Sequence, residues 1–307
     1  MASAYCPEQI ERYLDYIDFP PHLRAPDTPR DSAFLTRLHV HQISKIPYDN
    51  LSLHYSETHQ NSLDPQLLYD KFTRNGRGGY CMETAVFFRH VLMALGFRVY
   101  TAGARIRYRR DGIPQGPYIG WVHCVNIVTF ENGEKWSVDV GFGGDGATKP
   151  LRLESGVAVQ NLGSQEVRLV YDSLPDASEP HQQKVWIYQY RNSSDRDWNS
   201  FYAFAEFEFF QADLEQMNFW TSNFPTSFQR FQVLIVKFLR TGEQIVGKVM
   251  LADDKVKRNT GSRTEIVKIC GNEDERVRAL KDYFDIDLTE EEVQGIRGWL
   301  TELKASQ

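Results

Sequence analysis

Apolar positions along the first 96 residues recur with a helical period, and from Phe97 onward the period shortens to that of strands. Ile10, Tyr13, Leu14 and Ile17 fall at i, i+3, i+4 and i+7, one face of a short helix that Pro20-Pro21 ends. Phe34, Leu35, Leu38 and Ile43 predict a second helix stopping before Pro47, and Leu67, Leu68 and Phe72 a third. A fourth runs from about Cys81 through Val91, Leu92 and Leu95 to Gly96, a residue suited to a left-handed C-terminal cap.

The segments RVYTAGARIRY, HCVNIVTF, EKWSVDVGF, EVRLVYD, KVWIYQY and YAFAEFEFF are short, β-branched and aromatic, and separated by Gly, Asn, Asp and Ser. Strands in such succession predict an antiparallel barrel or sandwich. DSLPDASEPHQQ reads as a polar surface loop between strands. Beyond residue 211, FQVLIVKFL, EQIVGKVMLA and TEIVKIC look like three strands, followed by a helix over EDERVRALKDYF and a last one starting at Thr289, where Glu292 completes a capping-box spacing. The expected class is α+β. It comprises a helical bundle over 1–96, an antiparallel β barrel over 97–210 and a small α/β lid over 211–307.

Composition narrows the function without naming it. The chain has 307 residues, 41% hydrophobic and 25% charged, which excludes a disordered or collagen-like protein. A net charge of −6 argues against a general nucleic-acid or anionic-membrane binder. No apolar run approaches the length of a membrane span, and the start MASAYCPEQIERYLDYIDF has neither a signal-peptide core nor transit-peptide composition. Four cysteines with no CxxC pair make neither a disulfide framework nor a structural zinc site. The cytoplasm is the expected compartment.

The run Arg77-Gly78-Gly79-Tyr80-Cys81-Met82-Glu83 is the most informative. Paired glycines let a backbone turn sharply and approach a ligand closely. Cys81 then falls in the first turn of a helix, where free N–H groups and the macrodipole favour a thiolate and could cradle an oxyanion. The bland alternative is a buried structural cysteine.

A nucleophilic cysteine needs a base, and the base needs an orienting group. His123 and Asp139 lie on the two strands of one predicted hairpin, HCVNIVTF-ENG-EKWSVDVGF. If Asn132-Gly133 is a two-residue turn, Asp139 pairs with Asn126 and His123 faces away. If Glu131-Asn132-Gly133 is a three-residue loop with Gly133 left-handed, Phe130 pairs with Glu134 and Asp139 with Val125. His123 then sits diagonally from Asp139 on the same face. The three-residue loop is the expected one. His123 would take the thiol proton while Asp139 fixes its tautomer. Taken singly, the two residues also read as a hydrogen-bonded core histidine and a turn or edge carboxylate.

RGGYCMET, GWVHCVN and SVDVGFGG, in that order, together with Ile46-Pro47-Tyr48-Asp49-Asn50-Leu51, resemble the motifs of the arylamine N-acetyltransferases. Phe224-Pro225-Thr226-Ser227-Phe228 adds a little from the C-terminal third. The resemblance implies that family's three-part architecture, with a catalytic core like that of cysteine proteases and transglutaminases. It also implies a double displacement, in which acetyl-CoA or another short acyl-CoA acylates Cys81 and the thioester passes the acyl group to an arylamine, arylhydroxylamine or hydrazine. The family's triad falls on Cys81, His123 and Asp139. Gly120, Trp121 and Val122 would lie along the CoA, Phe142 would border the acceptor pocket, and Arg77 and Asp49 match a supporting charged pair. No metal is implied. Two positions depart from the pattern: Ala85 stands where Asn is frequent, and Ile119 where a hydroxyl residue is frequent.

Cys124 adjoins His123 but points to the opposite face of its strand, as core packing requires. Cys6 and Cys270 carry no pattern, and His90 reads as a satisfied or exposed helix residue. Arg105, Arg107 and Arg109 alternate on a strand and would share one face, either solvated or clamping CoA phosphates. Lys255, Lys257, Arg258 and Arg263 read as a basic loop. Beside an acyltransferase, the same triad also serves amide-processing enzymes of the cysteine protease or transglutaminase kind. A scaffold retained for binding alone is a third class, and zinc held by Cys81, His123 and Asp139 a weaker fourth.

Overall fold

The computed structural model describes residues 2–179, 183–261 and 263–304. Helix α1 (Pro7–Tyr16) buries Ile10, Tyr13 and Leu14 on the face that the spacing predicts. Helix α2 (Ser32–Lys45) starts where the Asp31 carboxylate accepts the Phe34 N–H at 2.8 Å. The short helices α3 (Ser52–Tyr55) and α4 (Pro65–Tyr69) follow, the latter running on as a wider turn over Asp70–Arg74. Helix α5 (Cys81–Ala94) is buried along nearly its whole length and ends just before Gly96, whose φ is +89°. Burying Phe87 and Phe88 on it contributes roughly 1.5–3 kcal/mol each.

The strands of the first two thirds are β1 (Tyr48–Asp49), β2 (Arg98–Ile106), β3 (Tyr108–Arg110), β4 (Ile113–Gln115), β5 (Trp121–Thr129), β6 (Lys135–Val138), β7 (Leu151–Arg152), β8 (Val159–Gln160), β9 (Glu166–Ser173), β10 (Lys184–Arg191) and β11 (Asn199–Phe204). Eight of them form one antiparallel sheet in the order β7-β6-β5-β2-β11-β10-β9-β8, and β3 and β4 form a separate hairpin. The sheet's end strands do not pair with each other, so the expected barrel is a half-barrel that leaves one concave side open.

The last third holds α6 (Gln211–Asn223), β12 (Leu234–Thr241), β13 (Gln244–Ala252), β14 (Lys255–Asn259), β15 (Thr264–Ile269), α7 (Glu273–Phe284) and α8 (Glu290–Gly295). Its five-stranded sheet runs β1-β12-β13-β14-β15, so its edge strand comes from the N-terminal segment. Thr289 caps α8, with its hydroxyl accepting the Glu292 N–H at 3.2 Å. Among the described residues no helix is long and apolar enough to cross a membrane.

Several expectations need correcting. The strand read over YAFAEFEFF stops at Phe204; the chain then crosses to Phe209, whose N–H reaches the Thr101 carbonyl at 2.8 Å, and enters α6, which the pattern did not reveal. The basic loop is largely strand β14, because Val256 packs inward while its neighbours point out. Asp172 and Ser173 of the polar loop belong to β9, and residues 180–182 of it lie outside the described residues. Arg105, Arg107 and Arg109 do not share a strand face. A bulge falls between Ala104 and Arg105, β2 ends at Ile106, and Arg105 stacks over Trp121 at 4.2 Å.

Candidate active site

The N-terminus of α5 is fixed before any catalytic question arises. The Glu83 carboxylate accepts the Tyr80 N–H at 3.1 Å and meets the Lys71 ammonium at 2.6 Å, capping the helix whose first residue is Cys81. The two glycines before it make a close approach, but to the protein's own backbone and not to a ligand. A Cβ on Gly78 would lie 2.0 Å from the Pro47 carbonyl oxygen. There the Gly79 N–H reaches the Pro47 carbonyl at 3.3 Å and the Asp49 N–H reaches the Gly79 carbonyl at 3.1 Å.

Asp49 and Arg77 are both buried, and they do not pair with each other. The Asp49 oxygens accept the backbone N–H groups of Gly78 at 2.8 Å and Leu51 at 3.0 Å, while Arg77 reaches Glu292 beyond α7 at 3.1 Å. The expected charged pair is therefore two separate fastenings. Asn50 adds another by accepting the Leu234 N–H at 2.8 Å and donating to Gln229, whose own amide donates to the Tyr48 hydroxyl at 2.6 Å. The Ile46–Leu51 motif thus ties the loop that precedes Cys81 to the C-terminal sheet.

The β5–β6 hairpin adopts the three-residue loop. Asn126 pairs with Val138 and Thr129 with Lys135, the Phe130 N–H reaches the Glu134 carbonyl at 2.9 Å, and Gly133 is left-handed at φ +84°. This register brings His123 and Asp139 together: Nε2 lies 2.8 Å from Oδ2, and both side chains are almost wholly buried. The other Asp139 oxygen accepts the Gly141 N–H at 3.1 Å. With Nε2 on the carboxylate, Nδ1 is left for the thiol. Burial alone would depress the imidazole pKa, but the Asp139 charge and hydrogen bond outweigh it, and contact with Cys81 adds to them, raising it to about 10. His123 is therefore a cation at neutral pH, which is the neighbour that a nucleophilic thiolate requires.

Gly141 is where strand and helix nearly touch: a Cβ there would meet the Thr84 hydroxyl at 2.3 Å and the Cys81 Cα at 2.8 Å. Cys124 points away from His123 and packs over the Cys81 carbonyl at 3.8 Å. The Asn126 amide donates to the carbonyl of Ala85, the position where the family resemblance leads one to expect Asn.

Three cavities converge here. A pocket of 50 Å³ contains Cys81 and His123, with Ile119, Val122 and Phe142 among its walls. Gly120, Trp121 and Val122 line a 420 Å³ groove against α6, adjoining the pocket at Val122 and Trp220. On the other side, a chamber of 690 Å³ shares Tyr48, Ile106, Tyr108, Phe142 and Phe228 with the pocket. Phe142 stands edge-on to His123 at 5.0 Å and so lies between pocket and chamber. Sequence reasoning missed Tyr48, Tyr202 and Trp220. Tyr202 packs on His123 at 5.2 Å and stacks on Tyr188 at 4.6 Å. Only contacts between distant strands and helices bring these residues to the site, and no local spacing announces them. Among the described residues, no group of three or more His, Cys, Asp or Glu is arranged to hold a metal ion.

Residues 31–293 match the family model described as N-acetyltransferase. The N-malonyltransferase FDB2 of Fusarium pseudograminearum is 31% identical over 95% of this chain and 92% of its own. The arylamine N-acetyltransferase of Escherichia coli is 32% identical over 69% of this chain and 68% of its own. In three dimensions, the arylamine N-acetyltransferase of Salmonella typhimurium superposes with a TM-score of 0.79 at 26% identity, covering 96% of this chain and 99% of that one.

Proposed function

The chain belongs to the arylamine N-acetyltransferase family of acyltransferases, and from that premise we propose that it moves a short acyl group from an acyl-CoA to an aromatic amine or hydrazine through a thioester on Cys81. Acetyl is the group that the family resemblance implies, and malonyl the one named in a relative matched over nearly its whole length. The observation that carries the reading is the buried 2.8 Å contact between Asp139 and His123, a histidine that lines the same pocket as Cys81.

In the first half-reaction the Cys81 thiolate attacks the acyl carbonyl, and the CoA thiolate leaves with the proton held by His123. In the second, the amine attacks the thioester carbon, His123 accepts the proton that the amine sheds, and the Cys81 thiolate is expelled. Asp139 holds the ring so that one nitrogen stays on the reacting atoms throughout. Burial of the pocket keeps water from the thioester between the steps. Gly120, Trp121 and Val122 are assigned to the CoA arm, and Phe142 to the acceptor side. The proposed division of labour gives residues 1–96 the nucleophile, 97–210 the base and its carboxylate, and 211–307 the lid. The four free cysteines fit a reducing compartment, so the cytoplasm is the proposed setting.

The test is the intact mass of the folded, reduced protein after mixing with acetyl-CoA and, separately, malonyl-CoA, with no acceptor present. A gain of one acyl group located on Cys81, absent from the Cys81→Ser variant, is the expected result and identifies the donor. No adduct from either donor overturns the reading and moves the chain toward amide-processing chemistry.

A further inference from the structure

The chamber beyond Phe142 is positively charged inside an acidic protein. Arg107, Arg109 and Lys257 line it, and Asp145 is the only acid among its lining residues. Arg109 pairs with Asp145. Arg107 spends its hydrogen bonds on carbonyls, those of Gly116 at 2.8 Å and Ser200 at 3.4 Å, and among the described residues no carboxylate pairs with it. Among the described residues Lys257 has no ion-pair partner. Behind the wall, buried Lys248 binds the Gly144 carbonyl and lies 3.5 Å from Asp145, a second cation on that one carboxylate. Burial, and then the like charge of Arg109, lower the Lys248 pKa to about 8, so at neutral pH it is still mostly charged. The chamber's charge is thus far from balanced, while the chain as a whole carries −6.

Thr226 and Gln232 apart, its remaining side chains are apolar or aromatic, and they form a continuous path to the base. His123 meets Phe142 at 5.0 Å, Phe142 meets Phe201 at 4.6 Å, and the Arg109 guanidinium sits over Phe201 at 4.7 Å. Phe142 and Phe201 thus lie in contact order between the imidazole and the Arg109 guanidinium.

We propose, building on the acyl-transfer reading above, that this chamber is the acceptor site and that it selects arylamines bearing an acidic group, a carboxylate or sulfonate, on the ring away from the amine. The amine meets the thioester beside His123, and the acid is held by Arg109 and Lys257. A carboxylate on the acyl group is a poorer occupant, because it sits two bonds past the thioester carbon, in a pocket whose lining contains no Lys or Arg. CoA phosphates are poorer still. The proposed CoA arm runs along Gly120, Trp121 and Val122, in the groove on the opposite side of the pocket from this chamber.

The test uses enzyme already acylated on Cys81 by acetyl-CoA or malonyl-CoA, freed of donor, and follows loss of the acyl group by intact mass. The acceptors are 4-aminobenzoate and its neutral analogue 4-aminobenzamide, each normalised to its own uncatalysed reactivity. The acid should deacylate the enzyme at least tenfold faster at equal low concentration, with the advantage shrinking as salt is raised. Lys257→Gln should cut that preference about threefold and Arg109→Gln about tenfold. Among the described residues Lys257 makes no ion pair, so its variant remains informative if the Arg109 variant misfolds. Equal rates for the two acceptors, or a preference kept in both variants, overturns the proposal. So does a slowed acylation of Cys81 by the donor in place of a lost preference, which would assign the cations to the acyl-CoA. Failure of the acyl-transfer reading itself is distinct, since no acyl-enzyme would then form before an acceptor is added.

Discussion

Strand β5 and helix α2 each bury a histidine completely, and the two side chains end in opposite charge states. His123 on β5 is raised to about 10, whereas His39 on α2 is lowered to about 4. Burial acts on both in the same direction, against the cation, and the charge of Asp139 reaches both. The difference is contact. His123 touches the Asp139 carboxylate at 2.8 Å, while His39 reaches the Ala147 carbonyl at 3.2 Å and its other ring nitrogen has no partner among the described residues. A carboxylate in the same neighbourhood does not make a buried histidine basic; one within hydrogen-bond reach does.

The largest way to break this contrast is Asp139→Asn, which should turn His123 into a second His39. The variant is expected to fold and to lose about 10²–10⁴ in rate, because the ring is left neutral and in the wrong tautomer. An NMR titration of the His123 ring should show its pKa falling from about 10 to below the ordinary value of 6.5. A near-normal rate would mean that Asp139 serves only the fold. Next in size is Gly141→Ala. Its methyl would have to displace the Thr84 hydroxyl or the Cys81 backbone, and a misplacement near 1 Å can cost about 100-fold, so a loss of roughly 10–100-fold in the rate of Cys81 acylation is expected. Unchanged acylation would show that the strand and helix can part without consequence.

The contact between His123 and Asp139 was legible in the sequence because it depends on local rules. Asn132-Gly133 and the flanking apolar alternation allow only a few loops, and the one with Gly133 left-handed sets the register that unites residues 123 and 139. The cysteine at a helix start was legible for the same reason. Where the reading failed, the deciding contact was remote or the pattern was blurred. Helix α6 buries Leu214 and Met217 but also Thr221 and Ser222, and it exposes Phe219, so it has no clean apolar face to detect. Strand β14 offers a single inward apolar residue, Val256, among charges. The family resemblance implies Arg77 and Asp49 as a charged pair. In the fold, a partner 215 positions away, Glu292, takes the arginine, and backbone N–H groups take the aspartate. The charged chamber is assembled from residues 107, 109, 145 and 257, which no window of sequence holds together.

The smallest expected effect concerns stability rather than rate, and it sharpens the comparison by its sign. In the unfolded chain, His39 takes up a proton as pH falls through about 6.5, but in the fold it stays neutral down to about 4. Acid therefore favours the unfolded state across that interval, and one pH unit below 6.5 the cost is about 1 kcal/mol. His54, lowered to about 3 by burial and by the Arg276 charge, adds to the same acid slope. His123 acts the other way. Its raised pKa gives stability that is complete below 6.5 and is lost as pH climbs toward 10. Thermal unfolding between pH 4.5 and 8 should thus decline on the acid side in the wild type and decline less in His39→Gln, whose amide can still donate to the Ala147 carbonyl. For this size of chain, about 1 kcal/mol corresponds to a shift in midpoint of about 2–4 °C at most. If His39→Gln kept the full acid slope, His39 would have to be charged in the fold. The contrast with His123 would then vanish, and contact with a carboxylate would not be what makes a buried histidine basic here.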